Sequence, residues 1–173
     1  MLDQKDIRSY EPSQRTDKIG FILQEPFLFT GTLADNILYG NTKYVHITHS
    51  QILELLTQKG LTGLLSKFEN GLDTPISTSG ESISLGQRQL LAFMRAILKE
   101  PEILILDEAT ANIDTVTEQL LEEMLSKLPK STTKVIIAHR LNTIKDADEI
   151  FFVNAAEVVN TGNMEHALDM LLH

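Results

Sequence analysis

Apolar residues along the chain follow two rhythms. Short unbroken apolar runs that end in polar side chains occur at Lys18–Gln24 (KIGFILQ), Glu102–Thr110 (EILILDEAT) and Lys134–Arg140 (KVIIAHR). Runs of this kind predict strands buried on both faces. Longer segments bring apolar residues back every three or four positions, which is the signature of one helix face. The clearest is Gly86–Lys99, with Leu90, Leu91, Phe93, Met94, Ile97 and Leu98 in register, stopped before Pro101. Ser50–Gln58 and Leu61–Phe68 read as helices, as does Asp114–Leu128, which ends before Pro129. A short helix is predicted near Leu33–Leu38, after the breakers Pro26 and Gly31. The stretch ENGLDTPISTSGES, rich in Gly, Pro, Ser and Thr, predicts a long loop. EIFFVNAAEVVNTG reads as two strands joined by a turn, and Glu165–Leu172 as a closing helix. Apolar strands alternating with helices predict an α/β fold with a mostly parallel sheet covered on both faces.

Composition narrows the function classes. The 173 residues are enough for one domain with a real core, and 42% hydrophobic content is ordinary for a globular chain. No apolar run reaches the ~18 residues of a membrane span, and the polar start MLDQKDIRSYEP is unlike a secretory signal. The absence of cysteine excludes disulfides and thiol chemistry. A net charge of −9 argues against a nucleic-acid surface.

The chemistry concentrates at strand ends. Ligands of parallel α/β sheets sit beyond the carboxyl ends of the strands, and Gln24, Asp107, Glu108 and His139 all fall at such ends. Asp107 suits magnesium, which takes carboxylate oxygens and keeps its waters. Glu108, the next residue, suits a general base for an attacking water. The plainer alternative is that both acids begin the next helix, where the dipole favours them. His139 can donate to a phosphate or be a satisfied structural histidine. A second centre is the mouth of the Gly86–Lys99 helix. Ser84 stands at its N-cap, and free N–H groups with a positive dipole end can hold an anion there; an ordinary capped core helix explains the same residues. Lesser features are His46 and His49 at helical i, i+3 spacing, lacking further partners for a metal. Glu118, Glu122 and Glu123 read as a solvated face, and Phe27, Leu28 and Phe29 as either an exposed dock or core.

Taken in order, Ser84-Leu85-Gly86-Gln87, LILDEAT, ANID and IIAHR resemble the ATP-binding cassette of ABC transporters, and GFILQEPFLFTGTLADNI is similar to the Q-loop region of exporter-type cassettes. The resemblance runs from about Leu2 to the end. It implies a P-loop NTPase-like cassette whose helical subdomain, about residues 32–100, carries the signature motif, with a RecA-like remainder at 1–31 and 101–173. It implies ATP and Mg2+ as ligands. Asp107 matches the magnesium-coordinating Walker B aspartate, Glu108 the catalytic base, and Gln24 the residue touching the magnesium or attacking water. His139 matches the switch histidine on the γ-phosphate, and Asp114 the D-loop aspartate at the dimer interface. Ile83 to Gln87 match the signature that binds the γ-phosphate held by the opposite subunit. Implied partners are transmembrane domains and a second cassette, identical or different, meeting head to tail at the cytoplasmic face of the membrane; nucleic acid is not among them.

Three departures qualify what the resemblance implies. Leu85 stands where the commonest signature has glycine, which is tolerable if only its backbone N–H faces the phosphate. The acidic residue that exporters place before the signature aligns with Thr78, with Glu81 displaced. The pattern G-x-x-x-x-G-K-[ST] is missing, since none of the nine glycines is followed by lysine. In the family that loop lies upstream of LDQKDIRSYEP, so the chain resembles a cassette without its N-terminal strands and phosphate loop. It is expected to bind ATP poorly and to be inactive by itself. The family's sheet would then have a gap between the strands matching Lys134–Ala138 and Glu149–Val153, and a rearranged sheet, pairing with another chain or poor solubility is expected. The functional readings are an ATP-hydrolysing exporter subunit or its C-terminal part, and a non-hydrolytic piece that donates only its signature to a complete partner. A chromosome- or translation-associated ATPase fits less well, because only 60 positions (84 − 24) separate Gln24 from Ser84, with no sustained heptads.

Overall fold

The computed structural model of the chain describes residues 2, 4–78, 82–109, 113–138, 146–154 and 157–162. The chain divides into two compact units, Met1–Val135 and Ile136–His173.

The first unit is built on a parallel pair of strands and the helix that covers it. Strand β1 (Ile19–Ile22) pairs with β4 (Ile103–Asp107) in parallel, from Ile19 opposite Ile103 to Ile22 opposite Leu106. Strand β5 (Thr133–Ile137) lies on the other side of β4, so the order is β1-β4-β5. A close approach fits β1 to its surroundings: a Cβ on Gly20 would stand 3.0 Å from Pro101 and 3.1 Å from Leu104.

Helix α5 (Leu85–Leu98) packs against β1. Its apolar residues cover more than one face, and Leu90, Leu91, Phe93, Met94 and Leu98 are all fully buried. Such a helix is a core element, and each large side chain it buries is worth about 1.5–3 kcal/mol. The short helix α2 (Leu33–Ile37) packs on it, and its Leu33 and Ile37 are fully buried. Helix α3 (His49–Gln58) and the short helix α4 (Thr62–Leu65) bury Ile52, Leu56, Leu61 and Leu64. Helix α6 (Thr115–Ser126) turns Leu121 and Met124 inward; of the three glutamates expected on a solvated face, Glu122 and Glu123 are exposed and Glu118 is half-buried.

Most of the predicted elements are present with ends moved by a residue or a few. The helix predicted at Leu61–Phe68 is shorter, with turns continuing to Phe68. The helical spacing of His46 and His49 is not realised. Helix α3 is capped by Thr48 and begins at His49, while His46 has a left-handed φ of 59°. Helix α1 and the strand pair β2–β3 were not foreseen. Helix α1 (Pro12–Lys18) begins with proline, and Gln14 Oε1 accepts from the Glu11 N–H at 3.1 Å. Strand β2 (Gly31–Thr32) pairs antiparallel with β3 (Pro75–Ile76), inside the segment expected to be a loop.

In the second unit, β6 (Phe151–Asn154) and β7 (Glu157–Asn160) form an antiparallel pair, as EIFFVNAAEVVNTG predicts. Among the described residues they make a sheet of their own, separate from β1-β4-β5. Glu81, His139 and the predicted helix Glu165–Leu172 lie outside the described residues.

Candidate functional site: strand ends and the mouth of helix α5

Two centres emerge, joined by α5. The first lies past the carboxyl ends of β1 and β4. Their register sets Ile22 opposite Leu106, and two residues further on Gln24 comes level with Glu108. The side chains meet there, with Gln24 Nε2 donating to Glu108 Oε2 at 3.2 Å. Asp107 is the last residue of β4 and is half-buried. Glu108 takes a left-handed φ of 47°, uncommon for a residue with a Cβ. Such backbone is held only where surrounding structure enforces it, and it concentrates at functional sites. Parallel pairing thus brings together Gln24 and the Asp107–Glu108 pair, which are 84 positions apart for Gln24 and Glu108.

The donor set fits magnesium. This ion uses one or two carboxylates and fills its remaining positions with water and phosphate oxygens, so it needs no cage of protein ligands. Among the described residues there is no group of three or more His, Cys, Asp or Glu side chains able to hold a metal by themselves.

The second centre is the mouth of α5. Ser84 is the N-cap: its Oγ accepts from the Gln87 N–H at 3.2 Å, and Gln87 Oε1 accepts from the Ser84 N–H at 2.8 Å. This reciprocal capping box uses the polar atoms of both side chains. Gln87 is held further by donating Nε2 to the Lys67 carbonyl at 2.6 Å. The first N–H groups of a helix have no partner within it. With that of Gln87 satisfied, the N–H groups of Leu85 and Gly86 remain without a partner among the described residues. The backbone N–H of Leu85 therefore belongs to the mouth.

Gly86 also permits the close approach of α6. A Cβ there would stand 3.2 Å from Thr117 Oγ1 and 3.3 Å from Asp114 Oδ2. Asp114 caps α6, accepting from Thr117 N at 3.0 Å and from Thr117 Oγ1 at 2.6 Å. The Thr117 hydroxyl and its N–H hold the Asp114 carboxyl below the usual carboxylate range. Lys67, Ser84, Gln87, Leu90, Asp114 and Thr117 line a polar cleft of about 280 Å³. Lys67 was not foreseen: it joins the cleft from the turn after α4, and nothing in its local sequence marks it.

Behind both centres, α5 grips the segment that follows β1. Arg95 donates Nε to the Asn36 carbonyl and Nη1 to the Phe27 carbonyl, both at 2.7 Å. Its guanidinium lies 5.5 Å from the Phe29 ring, which stacks on Tyr39. Burial pushes the Arg95 pKa down to about 10, so it stays charged near neutrality. Asn36, fully buried, accepts from Phe29 N and donates to the Phe29 carbonyl. Of the three residues read as dock or core, Leu28 is buried, Phe29 is half-buried and Phe27 is 72% exposed.

Comparison with known proteins shows the family and the fold. Residues 1–111 match the family described as ABC transporter. An ABC transporter ATP-binding protein of Streptococcus pneumoniae is 40% identical over 168 residues, 97% of this chain and 28% of that protein. A fatty acid ABC transporter ATP-binding/permease protein of Mycobacterium bovis is 39% identical over 163 residues, 94% of this chain and 25% of that protein. The chain thus spans about a quarter of the length of these relatives. A bacterial Atm1-family ABC exporter solved with ATP bound superposes with a TM-score of 0.79 at 28% identity, covering 99% of this chain and 29% of that one. Among the described residues no helix is long and apolar enough to cross a membrane. With a matching family over most of its length and an α/β cassette fold shared with a solved exporter, this chain belongs to the ABC transporter family.

Proposed function

We propose that the chain is an ATP-binding and ATP-hydrolysing component of an ABC exporter, working at the cytoplasmic face of the membrane with transmembrane domains and a second cassette. The observation that carries this reading is the hydrogen bond from Gln24 to Glu108 at the ends of two parallel strands. Glu108 takes the proton of the attacking water, and Gln24 orients that water and the carboxylate. Asp107 holds magnesium, which when bound neutralises charge on the phosphates. Asp114 and the mouth of α5, with the N–H groups of Leu85 and Gly86, face the nucleotide of the opposite cassette. The γ-phosphate contact is assigned to His139 by resemblance to the family alone, since His139 lies outside the described residues.

A second reading is favoured by the mouth of α5, where the N–H groups of Leu85 and Gly86 have no partner among the described residues. In it the chain lends only the Ser84–Gln87 mouth to a complete partner. Calorimetric titration with MgATP, on the chain alone and mixed with a complete exporter cassette, followed by phosphate release, separates the two. Hydrolysis lost in Glu108→Gln supports the first. Binding seen only in the mixture, with phosphate release indifferent to Glu108→Gln and abolished by Gly86→Arg, establishes the second. No binding in either arrangement overturns both.

A further inference from the structure

Gln89 is a polar residue in the apolar heart of α5, with 1% of its surface exposed. Its side-chain nitrogen faces two main-chain acceptors, donating to the Gln24 carbonyl at 2.7 Å and the Leu23 carbonyl at 3.3 Å. Two carbonyl oxygens on one side identify that atom as the nitrogen, since the amide oxygen has no proton to offer them. The other atom of the carboxamide, Oε1, is buried without a partner among the described residues. Leaving a buried acceptor without a donor is costly, so a side chain chosen for stability alone would be apolar here. The contacts fall where the β1–β4 ladder has ended, at Ile22 opposite Leu106. Leu23 and Gln24 have left the sheet there, and α5 supplies the donor that a neighbouring strand would have supplied.

We propose that Gln89 is a positioning residue: by clamping the Leu23 and Gln24 carbonyls to α5, it holds the Gln24 side chain within reach of Glu108 and ties that pair to the helix whose mouth is Ser84–Gln87. Gln89 lies one helical turn beyond Gly86, so the clamp and the mouth ride on the same rigid segment. A shift of α5 therefore carries the Gln24 backbone with it. The inference rests on the reading of Gln24 and Glu108 given above for its catalytic consequence, though not for the clamp itself.

Two measurements test the clamp without nucleotide. In the unmutated chain the Gln89 side-chain amide protons should exchange slowly with solvent, although the helix around them is otherwise apolar; fast exchange overturns the clamp and needs no variant. In Gln89→Met, which keeps length and removes both the donors and the orphan oxygen, the melting temperature should hold or rise. The side-chain amide resonances of Gln24, identified by their loss in Gln24→Ala, should collapse to those of a freely exposed glutamine. Unchanged Gln24 resonances in a folded Gln89→Met overturn the proposal.

Phosphate release then tests the consequence. Gln89→Met and Gln24→Ala should each lower kcat about tenfold, the size of one lost hydrogen bond to a charged partner, with KM little changed. The double variant should be no slower than either. Normal turnover in Gln89→Met beside impaired Gln24→Ala overturns the positioning role. Turnover indifferent to Gln24→Ala removes the catalytic reading of Gln24 instead, and the exchange and resonance results still decide the clamp.

Discussion

Glu100 shows how a single residue is shaped by its surroundings. It stands just past the end of α5 with a left-handed φ of 53°, where helices more often place glycine. Its carboxylate is held by Lys43 Nζ at 2.8 Å and by Lys59. The Lys43 hydrogen bond, followed by that of Lys59, lowers its pKa from 4.5 to about 2. A carboxyl with a depressed folded-state pKa contributes stability that is complete above its unfolded value and lost as pH falls through the folded one. The window is therefore from about 4.5 down to about 2. Urea unfolding midpoints measured across that window should fall with pH in the natural chain and fall less steeply in Glu100→Gln. Equal slopes in the two proteins would show that Glu100 does not carry the effect. Exposure of the pair keeps its absolute contribution modest.

At the scale of elements, α5 is the member on which everything else hangs. Its N-terminus forms the polar cleft, its middle holds the Gln24 backbone, and Arg95 near its end holds Phe27 and Asn36. Close approach of α6 to its first turn depends on Gly86. Gly86→Val puts branched carbon against Thr117 and the Asp114 carboxylate and forces α6 outward. It should cost about 1–3 kcal/mol, the usual penalty for overpacking, read as a lower urea midpoint. It should also weaken any binding at the mouth. A variant of unchanged stability would show that α6 yields freely at that point. Much of α5 was legible beforehand, because spacing of Leu90, Leu91, Phe93, Met94, Ile97 and Leu98 reports one helix and Ser84 reports its cap. Helix α1 was equally legible, through Pro12 at its first position, and was overlooked because its residues are polar throughout. The pairing of β2 with β3 was not legible: two residues on each side, joined from Gly31 to Ile76, carry no local pattern.

The whole molecule exposes apolar surface where a parallel sheet is normally covered. Among the described residues strand β5 is the outer strand of its sheet, and four of its five residues are exposed, Val135 and Ile137 among them. On the opposite edge Phe21 is also exposed, and Phe151, Val153 and Val158 are exposed on the separate β6–β7 pair. Unpaired apolar edges invite pairing with another chain. The isolated chain should therefore associate with rising concentration, and Val135→Lys should reduce the association. Sedimentation velocity over a concentration series checks this; a monomer at every concentration would show that these edges are not sticky.

The sequence by itself determined most of the segments that become helices and strands, because apolar period and capping residues act over a few neighbours. It also determined which polar residues stand at the strand ends. Tertiary structure alone decided which of those ends meet. Gln24 reaches Glu108 because β1 and β4 pair in parallel with Ile22 opposite Leu106, and no local rule sets the register of strands so far apart. Tertiary structure likewise decided that Lys67 joins the mouth of α5, and that a glutamine in an apolar helix holds the backbone of a residue 65 positions away. Such contacts depend on how elements pack, and packing is settled only when the whole core forms.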